Sequence, residues 1–247
     1  MSVTRAPAAL SPLDEARFGI RTARATGYVT MESLPAVIDF CTANDVRFLI
    51  ARSRAEEVRV AQEMERHGFL LTETSVFLVR DLEKTPVPPH EGGLTIRPFV
   101  PEEEPIVREL AAESFHGYFG HYHADTRLDP AKCDAAYADW AGRSCVSPEF
   151  ADAVFMAEAA GVIVGFLTLK RNGPEEGQPM LSGVRRDSRG RGAYRELIRR
   201  GLEWTRSLGA VRSVAAVHIA NVGVLKTLGR LGYEPSSGYY TFHKWFD

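Results

Sequence analysis

The 247-residue sequence predicts an α+β fold, a mixed sheet flanked by helices, preceded by a small α/β N-terminal domain. Three observations predict it. Strand-like and helix-like runs alternate along the chain; a late meander of strands passes through a glycine turn straight into a helix; and a proline-rich stretch separates two parts. That stretch is Lys84–Gly93, KTPVPPHEGG, whose prolines forbid helix and whose glycines weaken strand. Domains are therefore expected at residues 1–88 and 92–247.

In the N-terminal part, Phe18–Arg24 reads as a strand and Leu34–Thr42 as a helix by its apolar spacing, with Glu32 and Ser33 ahead of it. Val46–Ala51 is an apolar run of strand length. Ser53–His67 is a charged helix with Gly68 as its terminating glycine, and Phe69–Arg80 reads as a strand or a bent strand pair. No phosphate loop or catalytic pair is found here. In the C-terminal part, Leu94–Arg97 is a strand and Glu102–Glu113 a helix whose acidic first turn suits its dipole. An aromatic, histidine-rich loop, Phe115–Leu128, leads to a helix at Ala131–Arg143. Ala153–Ala159 and Val162–Lys170 form a hairpin around Ala160 and Gly161. Met180–Val184 is a strand, Gly192–Ser207 a helix, Ser213–Ile219 a strand, Val222–Leu231 a helix, and Tyr239–Trp245 a closing strand.

There is a faint internal echo. His67-Gly68-Phe69 and Leu231-Gly232-Tyr233 each follow an amphipathic helix and precede a strand. Two readings stay open: a degenerate half-copy of one fold, or a common type of helix–strand junction.

Composition excludes several function classes. With 45% hydrophobic residues, 25% charged residues and a net charge of −2, the chain reads as a globular protein rather than a nucleic-acid coat. Three cysteines, Cys41, Cys133 and Cys145, without CxxC spacing argue against a disulfide framework or a cysteine-rich zinc site, and for a cytoplasmic location. Met1–Ala9 lacks the charge-then-apolar pattern of a signal peptide, and no run approaches the ~20 apolar residues that span a bilayer.

The stretch with most chemistry is Val184-Arg-Arg-Asp-Ser-Arg189-Gly190-Arg191-Gly192-Ala193-Tyr194. A strand turns on two glycines into a helix, so successive backbone N–H groups converge at the positive end of the helix dipole. That is a cradle for a pyrophosphate, with arginines at its rim. It comes too late in the chain for a dinucleotide-binding βαβ unit, and no Gly-Lys-Ser/Thr marks a P-loop.

This turn, Arg189 to Tyr194, resembles the R/Q-x-x-G-x-G/A acyl-CoA motif of the GCN5-related N-acetyltransferase (GNAT) superfamily. Asn221 through Leu231-Gly232-Tyr233 resembles that superfamily's second signature. The resemblance implies a sheet whose fourth and fifth strands splay apart, with an acyl-CoA, acetyl-CoA first, as co-substrate. It implies a pyrophosphate on Arg189, Gly190, Arg191, Gly192, Ala193 and Tyr194, and pantetheine paired with backbone near Ser182 and Val184 and bonded by Asn221. Two departures stand out: Tyr194 replaces a small residue, and Leu228 occupies the place where many relatives carry an acidic tyrosine.

A narrower pattern is similar to acetyltransferases acting on dTDP-4-amino-4,6-dideoxygalactose and other nucleotide amino sugars. It rests on the opening Phe18-Gly19-Ile20, the loop after the first transferase helix, and the aromatic closing strand. The loop supplies His116, Tyr118, His121, Tyr122 and Arg127 as expected acceptor-binding residues, by ring stacking and polar contacts. His121-x-His123-x-Asp125 has the spacing of a metal site as its competing reading, as does a loop packed for structure alone. Aminolysis of a thioester requires a neutral amine, which makes His218, His123 and Asp125 the candidate proton acceptors. The partner is therefore a small-molecule amine, with neither nucleic acid nor membrane and with a homodimer left open. Acylation of another small-molecule or peptide amine, and an inactive acyl-CoA sensor, are the alternatives.

Overall fold

In the computed structural model of the protein, residues 6–247 are described, so residues 1–5 of the Met1–Ala9 stretch lie outside them. The N-terminal part forms β1 (Ala8–Leu10), α1 (Pro12–Phe18), β2 (Thr22–Tyr28), α2 (Leu34–Ala43), β3 (Phe48–Arg54), α3 (Val58–Arg66) and β4 (Leu70–Asp81). After the linker come β5 (Thr95–Pro98), α4 (Glu104–Phe115), α5 (Pro130–Val146), β6 (Ala153–Ala159) and β7 (Val162–Arg171). β8 (Glu176–Val184), α6 (Ala193–Ser207), β9 (Arg212–His218), α7 (Val222–Arg230) and β10 (Glu234–Trp245) complete the chain.

The α+β expectation holds, with local corrections. Phe18 ends a helix rather than opening a strand. Pro12 starts α1, Asp14 and Glu15 sit in its first turn, and Gly19 closes it at φ 71°. The following strand begins only at Thr22. Ser53 belongs to β3, where it pairs with Tyr240, so the charged helix starts later, at Val58.

The chain folds into two units. One holds residues up to Val76, Phe119–Cys133 and Ser237–Asp247; the other holds Phe77–Tyr118 and Asp134–Ser236. The division expected at the linker is linear, whereas this one is not. Residues 119–133 count with the N-terminal unit because Tyr122 bonds Asp14 and Arg24. Residues 237–247 do so because β10 pairs with β3 from Tyr239↔Arg54 to Trp245↔Phe48.

In the first unit the strands run β1-β2-β3-β10-β4, with β2 and β3 parallel and β10 antiparallel to β3. Its core includes Val37, Cys41, Leu49, Met64, Phe69 and Phe242. In the second unit the order is β9-β8-β7-β6-β5, antiparallel except for the parallel β8–β9 pair. Val107, Leu110, Met156, Phe166 and Leu181 fill its core.

β2-α2-β3-α3-β4 and β8-α6-β9-α7-β10 repeat one order of elements, each around a parallel strand pair. The junctions repeat as well. Gly68 and Gly232 have φ of 76° and 79°. The amides of Phe69 and Tyr233 each donate back to the last helical turn, to Met64 O and Leu228 O, both at 3.0 Å. α3 and α7 are both 9 residues long, β4 and β10 both 12.

Close packing of α4 on β8 depends on Gly183, where a Cβ would lie 2.6 Å from the Phe166 ring and 2.7 Å from Ser114 Oγ. Gly183→Ala is expected to cost about 1–3 kcal/mol by overpacking, seen as a lower urea midpoint. Gly229→Ala, in α7 with open space around it, is expected to stabilise the fold by about 0.5–1 kcal/mol, seen as a higher urea midpoint.

Candidate active site

The second unit carries the predicted anion cradle. β8 runs antiparallel to β7 from Gly177↔Arg171 to Val184↔Gly165, with a register shift that leaves Met180 without an opposite residue. Thr168 Oγ1 covers the shift, accepting from the Leu181 amide at 3.0 Å. On the other edge, β8 pairs with β9 only at Glu176↔Arg212 and Gly177↔Ser213. Among the described residues, then, the β9-side edge of β8 is unpaired beyond Gly177, and the two strands splay as expected.

At the end of β8 the chain makes a single helical turn, Arg186–Ser188, and reaches Gly190 (φ 77°) and Gly192 (φ 90°). Only glycine takes these left-handed angles without strain. Gly192 is the N-cap of α6, and no side chain caps the amides behind it. A Cβ at either glycine would meet nothing within 4 Å. A helix start with uncapped amides and open space before it fits a phosphate group. Arg189 and Arg191 are exposed, and Arg189 Nε donates to the Val184 carbonyl at 3.1 Å. Tyr194 lies in the first turn of α6, and burial pushes its phenol pKa up, so it stays protonated.

Asn221 caps α7, its Oδ1 accepting from the Val224 amide at 3.3 Å. His218 ends β9, and its Nδ1 accepts from the Ala220 amide at 3.0 Å. A neutral imidazole that accepts at Nδ1 carries its proton on Nε2. Leu228 is 0% exposed and is a core residue.

The histidine-rich loop does not stay together. His116 and Tyr118 belong to the second unit, where His116 faces Asp134 at 3.5 Å and Tyr118 packs edge-on against Phe115 and Tyr137. His121, Tyr122, His123, Asp125 and Arg127 belong to the first unit. Arg127 pairs with Asp247 at 2.7 Å and lies over the Trp245 ring. Tyr122 is buried; its hydroxyl donates to Asp14 at 2.7 Å and accepts from Arg24 at 2.6 Å, while burial pushes its pKa up to about 12. Both functions of that hydroxyl are spent inside the unit.

Asp125 is buried and fully engaged. Its Oδ2 accepts from His243 Nδ1 at 2.8 Å and from Trp245 Nε1 at 2.9 Å, and its Oδ1 accepts from the Arg127 amide at 3.0 Å. Burial pushes its pKa up, but these donors outweigh burial and leave it below the usual carboxylate value. His243 Nε2 in turn meets His121 Nδ1 at 2.9 Å. Sequence reasoning missed His243, whose one signal was a polar ring within an aromatic closing strand. Among the described residues, no group of three or more His, Cys, Asp or Glu side chains is placed to hold a metal ion.

Burial holds His121 well below the ordinary imidazole pKa, with His243, Arg24 and Arg52 acting in the same direction. Burial also lowers His243, with Asp125 pulling against it. In the unfolded chain both rings take up protons near pH ~6.5, above their folded values. Stability from this pair is therefore complete above pH ~6.5 and falls below it, since the unfolded state then binds more protons. A lower Tm at pH 5.5 than at pH 7.5 is the expected calorimetric result.

Comparison with known proteins agrees with this geometry. A model of the acetyltransferase (GNAT) domain matches residues 93–234. A GCN5-related N-acetyltransferase from Kribbella flavida superposes with a TM-score of 0.67 at 18% identity, over 98% of this chain and 88% of its own. One from Sphaerobacter thermophilus gives 0.61 at 19% identity, over 96% and 76%. A tandem GNAT protein from the clavulanic acid biosynthesis pathway gives 0.62 at 15% identity, over 92% and 76%. At these identities the likeness is one of fold. No curated protein matches the chain. With its domain match, splayed strands and glycine turn, the chain belongs to the GNAT acetyltransferase family and is an acyl-CoA N-acyltransferase.

Proposed function

We propose that the protein transfers an acyl group, acetyl first, from acyl-CoA to the amine of a small molecule. The observation that carries this reading is the uncapped start of α6 behind two left-handed glycines, next to the unpaired edge of β8. Arg189, Gly190, Arg191, Gly192, Ala193 and Tyr194 would hold the pyrophosphate. Backbone at Ser182 and Val184 and the Asn221 amide nitrogen would hold the pantetheine arm. Because Arg189 Nε already bonds the Val184 carbonyl, that side chain would exchange the carbonyl for phosphate when the turn fills.

Acyl-CoA supplies the activated thioester. The amine, after losing one proton, forms a C–N bond as the C–S bond breaks, and its second proton ends on the departing sulfur. His218 suits the donor side of this reaction, since its Nδ1 already accepts from Ala220 and its Nε2 bears the proton. With Leu228 in the core, the leaving thiolate relies on that donor, on Tyr194, or on its own pKa of ~8.5.

The acceptor that best suits the loop residues of the second unit is a nucleotide-linked amino-deoxysugar. His116 is exposed and offers a donor for hydroxyl or phosphate oxygens, and the half-buried Tyr118 an aromatic face. We read the N-terminal part as a degenerate GNAT copy. Its repeat of strands, helices and glycine junctions supports this, and a tandem GNAT protein is among the structural neighbours. The stretch before α2, Val29-Thr30-Met31-Glu32-Ser33, has no glycine where the other copy has two. One acyl-CoA per chain follows.

A screen of amines and nucleotide amino sugars with acetyl-CoA and thiol detection is expected to show sustained CoA release with at least one of them. Acyl-CoA binding without release for any amine would favour an inactive sensor. Calorimetry is expected to give one CoA per chain. Gly192→Asp, which places a side chain and a negative charge at φ 90°, should weaken CoA binding at least about tenfold. Unchanged binding in this variant would move the site elsewhere.

A further inference from the structure

We propose that the buried guanidinium of Arg80 is a binding site for a small monovalent anion, chloride being the simplest. The site lies wholly within the second unit and is independent of the acyl transfer proposed above.

Arg80 is the penultimate residue of β4 and is 1% exposed. Its guanidinium carries N–H donors on three nitrogens and keeps its charge inside a protein. Nη2 donates to the carbonyl oxygens of Pro86 at 2.8 Å and of Thr85 at 3.4 Å. Nε and Nη1 are buried and have no hydrogen-bond partner among the described residues. No carboxylate balances the charge either: burial, which lowers the pKa, and the Tyr233 phenol are what act on it. A cation taken out of water needs a counter-charge or a full set of acceptors, and two carbonyl oxygens meet only one of the three nitrogens.

The surroundings favour an anion that is small and singly charged. Gly232, at φ 79°, faces the guanidinium and leaves the space over Nη1 free of any side chain. A Cβ there would come to 3.5 Å from Nη1 and 3.7 Å from the Thr85 methyl group. Tyr233 and Ser213 are both buried, with their hydroxyls bonded to each other at 2.7 Å. A phosphate or sulfate would bury oxygens for which these walls hold too few donors, and a second charge that Arg80 alone does not balance. One halide ion balances one guanidinium. Pro86 also walls an open hollow of about 420 Å³ with Val87, Glu203, Arg206 and Ser207. That hollow brings solvent up to the segment whose carbonyls cover Arg80. Glu203 is held by Arg199 and Arg200, so Arg206 gives the wall a positive charge that attracts anions.

The site stands apart from the glycine turn. The Leu82 amide donates to Val211 O at 2.8 Å, which sets the end of β4 beside the start of β9, where β8 and β9 are still paired. The glycine turn leaves the opposite end of β8. An anion on Arg80 therefore fixes the Thr85–Pro86 segment of the linker against β4 and the α7–β10 junction, and leaves the pyrophosphate cradle untouched.

The test combines crystallography with calorimetry on the full chain. Crystals grown with bromide in place of chloride are expected to show an anomalous bromide peak in contact with Arg80 Nε or Nη1. At constant ionic strength, exchanging gluconate for chloride is expected to raise the wild-type Tm by about 2 °C or more, as a ligand of the folded state does. Arg80→Met keeps the length of the side chain but removes its charge. Its Tm is expected not to respond to chloride, and its CoA affinity to match the wild type. Water alone at the guanidinium in the bromide crystals, or an equal chloride response in wild type and Arg80→Met, would overturn the inference. If Arg80→Met does not fold, the bromide crystals decide by themselves.

Discussion

The functional architecture of the second unit depends on one interruption: β8 and β9 stop pairing after Gly177 and Ser213. Parallel neighbours in a sheet ordinarily bond along their length, because a buried backbone group without a partner is costly. Here the sequence itself weakens the ladder. Pro179 has no amide hydrogen, and Met180 sits in a register shift against β7. Thr168 compensates on the β7 side by bonding the Leu181 amide. On the β9 side, a run of polar backbone is left for something other than protein to satisfy. The glycine turn completes the same logic at the end of the strand, where α6 begins without a capping side chain. An unpaired strand edge and an uncapped helix start are each unfavourable alone. Side by side, they suit a ligand with an amide-bearing arm and a pyrophosphate.

The sequence displayed this part of the molecule well, and the reason is local. Gly190 and Gly192 are needed for backbone angles that other residues reach only with strain, and Asn221 is needed as a cap, so each function has a fixed residue type. The hairpin of β6 and β7 and the helices α2 and α6 were equally visible in periodicity and turn residues. What stayed hidden was long-range. Nothing near Tyr122 reveals that its hydroxyl meets Asp14 and Arg24, and nothing near Asp125 reveals His243. The loop read as one binding surface because its residues are consecutive, yet its first part packs around Tyr137 and its later part around Asp14 and His243. Helix α1 was missed for a different reason. Its seven residues give the periodicity signal too little length, although Pro12, Asp14, Glu15 and Gly19 mark both ends.

The repeated order of elements bears on why only one half looks equipped. A turn with no ligand to approach has no need of glycine, which costs conformational entropy and gives no packing in return. Before α2, Thr30 and Ser33 instead bond each other's side chains and backbone amides. The helix–glycine–aromatic junction survives in both because it is a structural device. Gly68 and Gly232 reverse the chain, and Phe69 and Tyr233 each enter a buried core.

The absence of a tyrosine at position 228 is less costly than it first looks, given how unequal the two proton transfers are. A thiol of pKa ~8.5 leaves without much help, whereas an alkylammonium of pKa near ~10.4 is almost wholly protonated at neutral pH and cannot attack. The greater need is for a base, and a base has to be neutral, oriented and open at one nitrogen. Position 228 points into the core, where Leu228 adds apolar packing and a tyrosine would bury a hydroxyl needing a partner. Where the chain does bury a carboxylate it supplies the partners: in the first unit Asp125 accepts from His243, Trp245 and the Arg127 amide.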